Sequence, residues 1–125
     1  MKEIIDKIAG LIADAVLSPL IYMVEHDGRI DFIYISNEEI SEDVLYNVQM
    51  SASGMLNCDV DILDIRYFSE FDKISLIQKS QIVYCENPIL PKIIELRSIE
   101  SLRDMIKEKD SVIERKKEYD CYYLQ

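Results

Sequence analysis

Four aspartates stand in strand-like surroundings in this chain, Asp31 in "RIDFIYIS" and Asp59, Asp61 and Asp64 in "CDVDILDI". Successive side chains of a strand point to opposite faces, so Asp59 and Asp61 share one face and Asp64 takes the other. If the two strands are neighbours, Asp31 and Asp61 converge across the sheet. Hard divalent cations take several such oxygens together, and a two-metal site needs carboxylates that touch both ions. Arg29 stands where a further ligating carboxylate would serve, two residues before Asp31. A guanidinium repels cations and keeps its proton. The plain alternative is a set of strand-end carboxylates in turns or salt bridges, with Arg29 solvated.

Other chemistries find little support. His26 is the one histidine, so no Cys/His metal cluster can be assembled around it, and a turn position explains it. A Ser-His-Asp arrangement would need His26, and no nucleophile stands near it. Gly10, Gly28 and Gly54 are too scattered to form a phosphate-cradling loop. Cys58, Cys85 and Cys121 are odd in number and widely spaced. That argues against a disulfide framework and for a reducing, cytoplasmic setting.

The elements that must position these aspartates can be read from periodicity. Ile4, Ile5, Ile8, Leu11, Ile12 and Val16 recur at helical spacing over residues 2–17, and Ser18-Pro19 stops the helix. "LIYMVEH" and "IDFIYIS" flank Asp-Gly, a strong hairpin signal. Ser36 with Glu39 forms a capping-box pattern that predicts a helix start, and Gly54 and Asn57 predict its end. "CDVDILDIRYF" reads as the next strand, then a helix over 69–80 capped by Ser69. "QIVYCE" is a short strand, and residues 91–118 form a long helix or two shorter ones. The order α-β-β-α-β-α-β-α predicts an α+β fold, a small mixed sheet of about four strands flanked by helices.

The chain has 125 residues, and 49% of them are apolar. This suits one domain, 1–125, with its own core and a helical extension at about 91–118. No apolar run is long enough to span a bilayer, and the start "MKEIIDKIAG" lacks the apolar stretch of a signal peptide. The formal charge is −10, unevenly placed. Residues 1–91 hold 16 acidic against 6 basic side chains, whereas residues 92–125 hold 8 of each. An acidic body disfavours direct nucleic-acid binding. It suits a basic protein partner or metal ions, or solubility alone. Tyr119, Tyr122 and Tyr123 in "EYDCYYLQ" make either a contact surface or a tail folded back on the domain.

Residues 28–36 resemble the "SDIDLAVL" segment of minimal nucleotidyltransferases, small relatives of the polymerase beta nucleotidyltransferase fold. "VDILDI", residues 60–65, is similar to that family's "VDLVDL" strand, and "FSEFDKISLIQKSQIVYCEN" resembles its following helix and strand. The resemblance implies that Asp31 matches the second residue of an Asp-x-Asp magnesium pair and Asp61 the third carboxylate. Arg29 replaces the first Asp. The family's Gly-Ser phosphate loop is missing between the two strands. Ser18 lies near the right spacing, but Leu17 precedes it and Pro19 follows.

Members of this family include antitoxins that neutralise a HEPN-type ribonuclease toxin in bacterial two-gene systems, by modifying it or by binding it. The resemblance with these departures implies a catalytically degenerate protein acting by protein–protein contact, with Arg29, Asp31 and Asp61 as a relic pocket and a HEPN-type toxin as partner. No cofactor is expected in that reading, and homo-oligomerisation is left open. The alternative is an active magnesium-dependent nucleotidyltransferase, transferring adenylyl to a protein. It would use Mg2+ and ATP, with Asp31 and Asp61 as metal ligands, joined by Asp27 or Asp59. A plain α/β interaction domain is the third reading. Strand order separates it from the other two.

Overall fold

The computed structural model describes the backbone of residues 2–123 and the side chains of residues 2–108. Its elements are α1 (Lys2–Val16), β1 (Leu20–His26), β2 (Arg29–Tyr34), α2 (Glu42–Leu56) and β3 (Asp59–Asp64), then a 3-10 turn at Ile65–Tyr67, α3 (Glu70–Lys79), β4 (Gln81–Cys85) and α4 (Leu90–Tyr123). The sheet runs β3-β2-β1-β4. β1 pairs antiparallel with both β2 and β4, and β2 pairs parallel with β3. The sheet is therefore mixed and four-stranded, and the helices and strands follow one another along the chain as read from the sequence.

Strand alternation divides the core into two layers. Ile21 and Met23 of β1, Ile30, Phe32 and Tyr34 of β2, and Val60 and Ile62 of β3 pack against α1 and α2. Leu20 and Tyr22 of β1, Ile33 of β2 and Leu63 of β3 pack against α3 and the first turns of α4. Asp31 and Asp61 have odd numbers on β2 and β3, like Ile33 and Leu63, so both lie on the α3/α4 face. The β1–β2 turn has Asp27 at φ 48° and Gly28 at φ 75°. Two successive positive φ values are what a two-residue hairpin of the right-handed twist requires.

Three boundaries differ from the sequence reading. Ser36 does not start α2; its hydroxyl accepts from the Glu38 N–H at 3.2 Å inside a loop. Ser41 is the cap instead, accepting from the Val44 N–H, with Glu42 and Asp43 favourable to the helix dipole in the first turn. The loop is pinned because Arg66 donates to the Glu38 carbonyl at 3.1 Å, which keeps residues before Ser41 out of the helix. Gly54 stays inside α2, and Asn57 in the left-handed region ends it. β3 stops at Asp64 rather than continuing to Phe68. The Asp64 carboxylate accepts from the Arg66 N–H at 2.9 Å and turns the chain into a 3-10 helix. The last helix is one element, Leu90–Tyr123. Tyr119, Tyr122 and Tyr123 lie outside the residues whose side chains are described. Among the described residues no helix is long and apolar enough to cross a membrane.

Ser18 has a clear structural use. It is buried, its hydroxyl donates to the Leu20 carbonyl at 2.7 Å and accepts from the Ile35 N–H at 3.0 Å. It thus ties the end of α1 to β1 and to the far end of β2.

Tyr22 sits in the α3/α4 layer at 2% exposure, and its hydroxyl has no hydrogen-bond partner among the described residues. Burial first, then the nearby Cys85 and Glu95, pushes it from 10.0 up to about 12. A raised folded value means that the protonated form is favoured by folding. The stability it carries is complete below pH 10 and is lost as pH rises toward 12. Thermal melts across that window should fall steeply, and Tyr22→Phe should flatten the fall. An unchanged slope in Tyr22→Phe would contradict this assignment.

Candidate functional site

Parallel pairing sets Asp31 beside Asp61 and Arg29 beside Asp59 in register. Arg29 and Asp31 are two apart on β2, so they share the face on which Asp61 stands. The guanidinium uses both neighbours. Its Nε donates to Asp31 Oδ1 at 3.2 Å, and its Nη2 donates to Asp61 Oδ2. His26 closes the other side, with Nε2 2.9 Å from Asp31 Oδ2. A carboxylate only accepts, so that ring nitrogen carries the proton. Asp31 is therefore held between an imidazole and a guanidinium, and Asp61 by the same guanidinium. The side chains of Asp31 and Asp61 are 15% and 31% exposed, those of His26 and Arg29 about half. The guanidinium and the imidazole thus cover the carboxylates from the solvent side.

Asp31 also lines a cleft of about 220 Å³ between the sheet and α3, with Val24, Ile33, Leu63, Phe68 and Lys79 among its walls. Arg29 and Asp61 are not part of that lining. Asp27 occupies the hairpin turn, and Asp59 opens β3 at the surface. Among the described residues no group of three or more His, Cys, Asp or Glu is gathered closely enough to hold a metal ion. The β1–β2 connection is the two-residue turn at Asp27-Gly28, too short to wrap a phosphate chain in backbone N–H groups.

No family model matches this sequence, and no curated protein does. Solved structures do. A Shewanella oneidensis complex of a tri-AMPylated HEPN toxin with an MNT antitoxin superposes with a TM-score of 0.73 at 17% identity, covering 91% of this chain and 97% of that one. The toxin–antitoxin MntA–HepT matches with a TM-score of 0.73 at 16% identity, over 91% and 97% of the two chains. A toxin–antitoxin structure with AMP-PNP matches with a TM-score of 0.70 at 17% identity, over 88% and 95%.

The chain has the minimal nucleotidyltransferase fold.

Within that fold, adjacency of the strands carrying Asp31 and Asp61 follows from the β2–β3 pairing. Sequence reasoning made the convergence of these two residues depend on adjacent strands, which the pairing supplies, and it grouped Arg29 with them. It missed His26, read as a plain turn residue. The signal was available, because a two-residue hairpin fixes the register and places His26 opposite Arg29, diagonal to Asp31. It also missed a second charged knot at the far end of the same strands. There Arg66 clasps Asp64 through Nε at 3.0 Å and Nη2 at 2.7 Å. Asp64 is almost fully buried, and its bond to Arg66 is the first reason that the guanidinium holds its proton more tightly than usual.

Replacing Arg29 with leucine leaves Asp31 and Asp61 side by side, with His26 the one remaining ion-pair partner of Asp31 among the described residues. The pairs are half exposed, so the expected loss is modest, about 1 kcal/mol in urea unfolding at neutral pH. Raised salt should shrink it by screening the exposed carboxylate repulsion. A loss that is the same at every ionic strength would contradict an electrostatic role for Arg29.

Proposed function

We propose that this chain is a catalytically silent minimal nucleotidyltransferase that acts by binding a protein, as the antitoxin-like partner of a HEPN-type ribonuclease toxin. The contact of one guanidinium with both Asp31 and Asp61 carries this reading. In the family, those positions answer to magnesium ligands. Here a fixed monovalent cation offsets half of their charge and engages lone pairs that a metal would need. Metal-assisted phosphoryl-type transfer rests on positioning and charge neutralisation by mobile divalent ions. A side chain can neutralise, but it cannot bridge the phosphates of a nucleotide or turn over. The residues present therefore do not fit a two-metal centre with ATP, and the short β1–β2 turn removes the phosphate cradle as well.

Support for the partner comes from the neighbours, which are MNT antitoxin–HEPN toxin complexes. The charge of residues 1–91 agrees with it. An acidic surface suits a protein whose own surface is basic because it handles RNA, and it speeds the encounter.

Calorimetric titration of Mg2+ in the presence of ATP should give no saturable heat with the natural sequence. Arg29→Asp should acquire magnesium binding, because it restores the missing carboxylate on the same face. Saturable heat with the natural sequence, lost in Asp31→Ala and Asp61→Ala, would instead establish the magnesium-dependent adenylyl-transfer reading. For the partner, tagged chain recovered from its native cells should carry a HEPN-type helical protein at a stoichiometric level. Recovery of the chain alone would contradict the antitoxin reading.

A further inference from the structure

The opposite face of the sheet holds a second cleft, of about 290 Å³, at the ends of β2 and β3 remote from Arg29. Tyr34 lines its floor, with Ile40, Leu45 and Ile62 among its apolar walls and Glu39, Glu42 and Tyr67 around it. Two features set it apart from an ordinary acidic surface. Tyr34 is 2% exposed, yet the bonds of this corner leave its hydroxyl unengaged among the described residues. Tyr67 is 74% exposed, an aromatic ring standing in solvent at the rim.

The charges are not cancelled locally. Asp64 is satisfied by Arg66, and Glu39 accepts from the Tyr67 hydroxyl at 3.3 Å. Glu42 is exposed and takes part in no ion pair among the described residues. An aromatic face, a hydroxyl able to accept at the end of a buried ring and two net negative charges make a socket for one planar cation. Guanidinium stacks on aromatic faces, donates in several directions at once and is desolvated more easily than ammonium.

We propose that this cleft is a docking socket for an arginine side chain of a protein partner, with Tyr67 stacking on the guanidinium and Glu39, Glu42 and the Tyr34 hydroxyl accepting from it. It rests on the protein-binding reading above and locates part of that contact on the face away from Asp31 and Asp61. An exposed aromatic beside carboxylates is the kind of anchor on which interfaces concentrate their binding energy.

The probe is a capped tetra-arginine peptide, with the isosteric citrulline peptide as the uncharged control. It is titrated into the isotopically labelled full chain and followed by amide chemical shifts. Saturable shifts should concentrate in residues 38–45 and 62–68. Tyr67→Ala and Glu42→Gln should each weaken the apparent affinity by about fivefold. Both residues are exposed, so the fold is kept, and Tyr34→Phe gives a third variant that retains the ring. Glu3→Gln, at an exposed position in the first turn of α1, should change nothing. Shifts spread evenly over all acidic surfaces, or equal shifts with citrulline peptide, would overturn the proposal. A dimer of the chain alone that dissociates in Tyr67→Ala would also overturn it, by giving the socket to a second copy. The magnesium titration reports on the other face, so failure of the socket and failure of the silent-site reading can be told apart.

Discussion

Arg29 sits where two parallel strands would otherwise bring Asp31 and Asp61 together without a counter-charge. Two carboxylates on neighbouring strands of one face repel each other, and a sheet that pairs their strands must supply a cation or lose stability. A metal centre meets that need with ions drawn from solution. This chain meets it covalently, with a side chain two residues along the same strand. The solution is permanent and cheap in chain length. It stands beside a β1–β2 connection of only two residues, Asp27-Gly28. The charge arrangement and the short turn agree with each other, and both underlie the proposal of a catalytically silent scaffold.

The two faces of the sheet divide the work. The α3/α4 face carries the aspartates paired with Arg29 and the buried Tyr22. The α1/α2 face carries Tyr34 and, at its edge, the Asp64–Arg66 knot that pins the loop before α2. The knot explains why an open cleft exists there. Arg66 holds the Glu38 carbonyl and Tyr67 holds Glu39, so the loop stands away from the α2 start instead of collapsing onto Leu45. Burial of Tyr34 and then the neighbouring Asp64 charge raise its pKa above the ordinary tyrosine value, so it offers a neutral polar group at neutral pH.

Much of this was legible in the residues. Asp-Gly between two apolar runs fixed the hairpin, and alternation in "CDVDILDI" put Asp59 and Asp61 on one face and Asp64 on the other. The motif likeness of "VDILDI" brought the right fold into view at an identity too low for sequence comparison to register. What escaped depends on contacts between distant segments. Ser36 with Glu39 looks like a helix start, but the Glu38 carbonyl accepts from Arg66, 28 residues on, and Ser41 caps the helix. Ser18 shows no pattern of its own, because its value lies in an N–H at Ile35 that tertiary structure brings to it. His26 was within reach of a register calculation and was lost to a one-residue view of turns.

The central claim is that a guanidinium holds the place of the catalytic ions. Crystals grown or soaked with manganese and ATP test it most directly, since manganese is located by anomalous scattering. The expected map shows Arg29 between the two carboxylates and no anomalous peak between Asp31 and Asp61. Paired manganese peaks there, with Arg29 displaced and nucleotide phosphates attached, would contradict it.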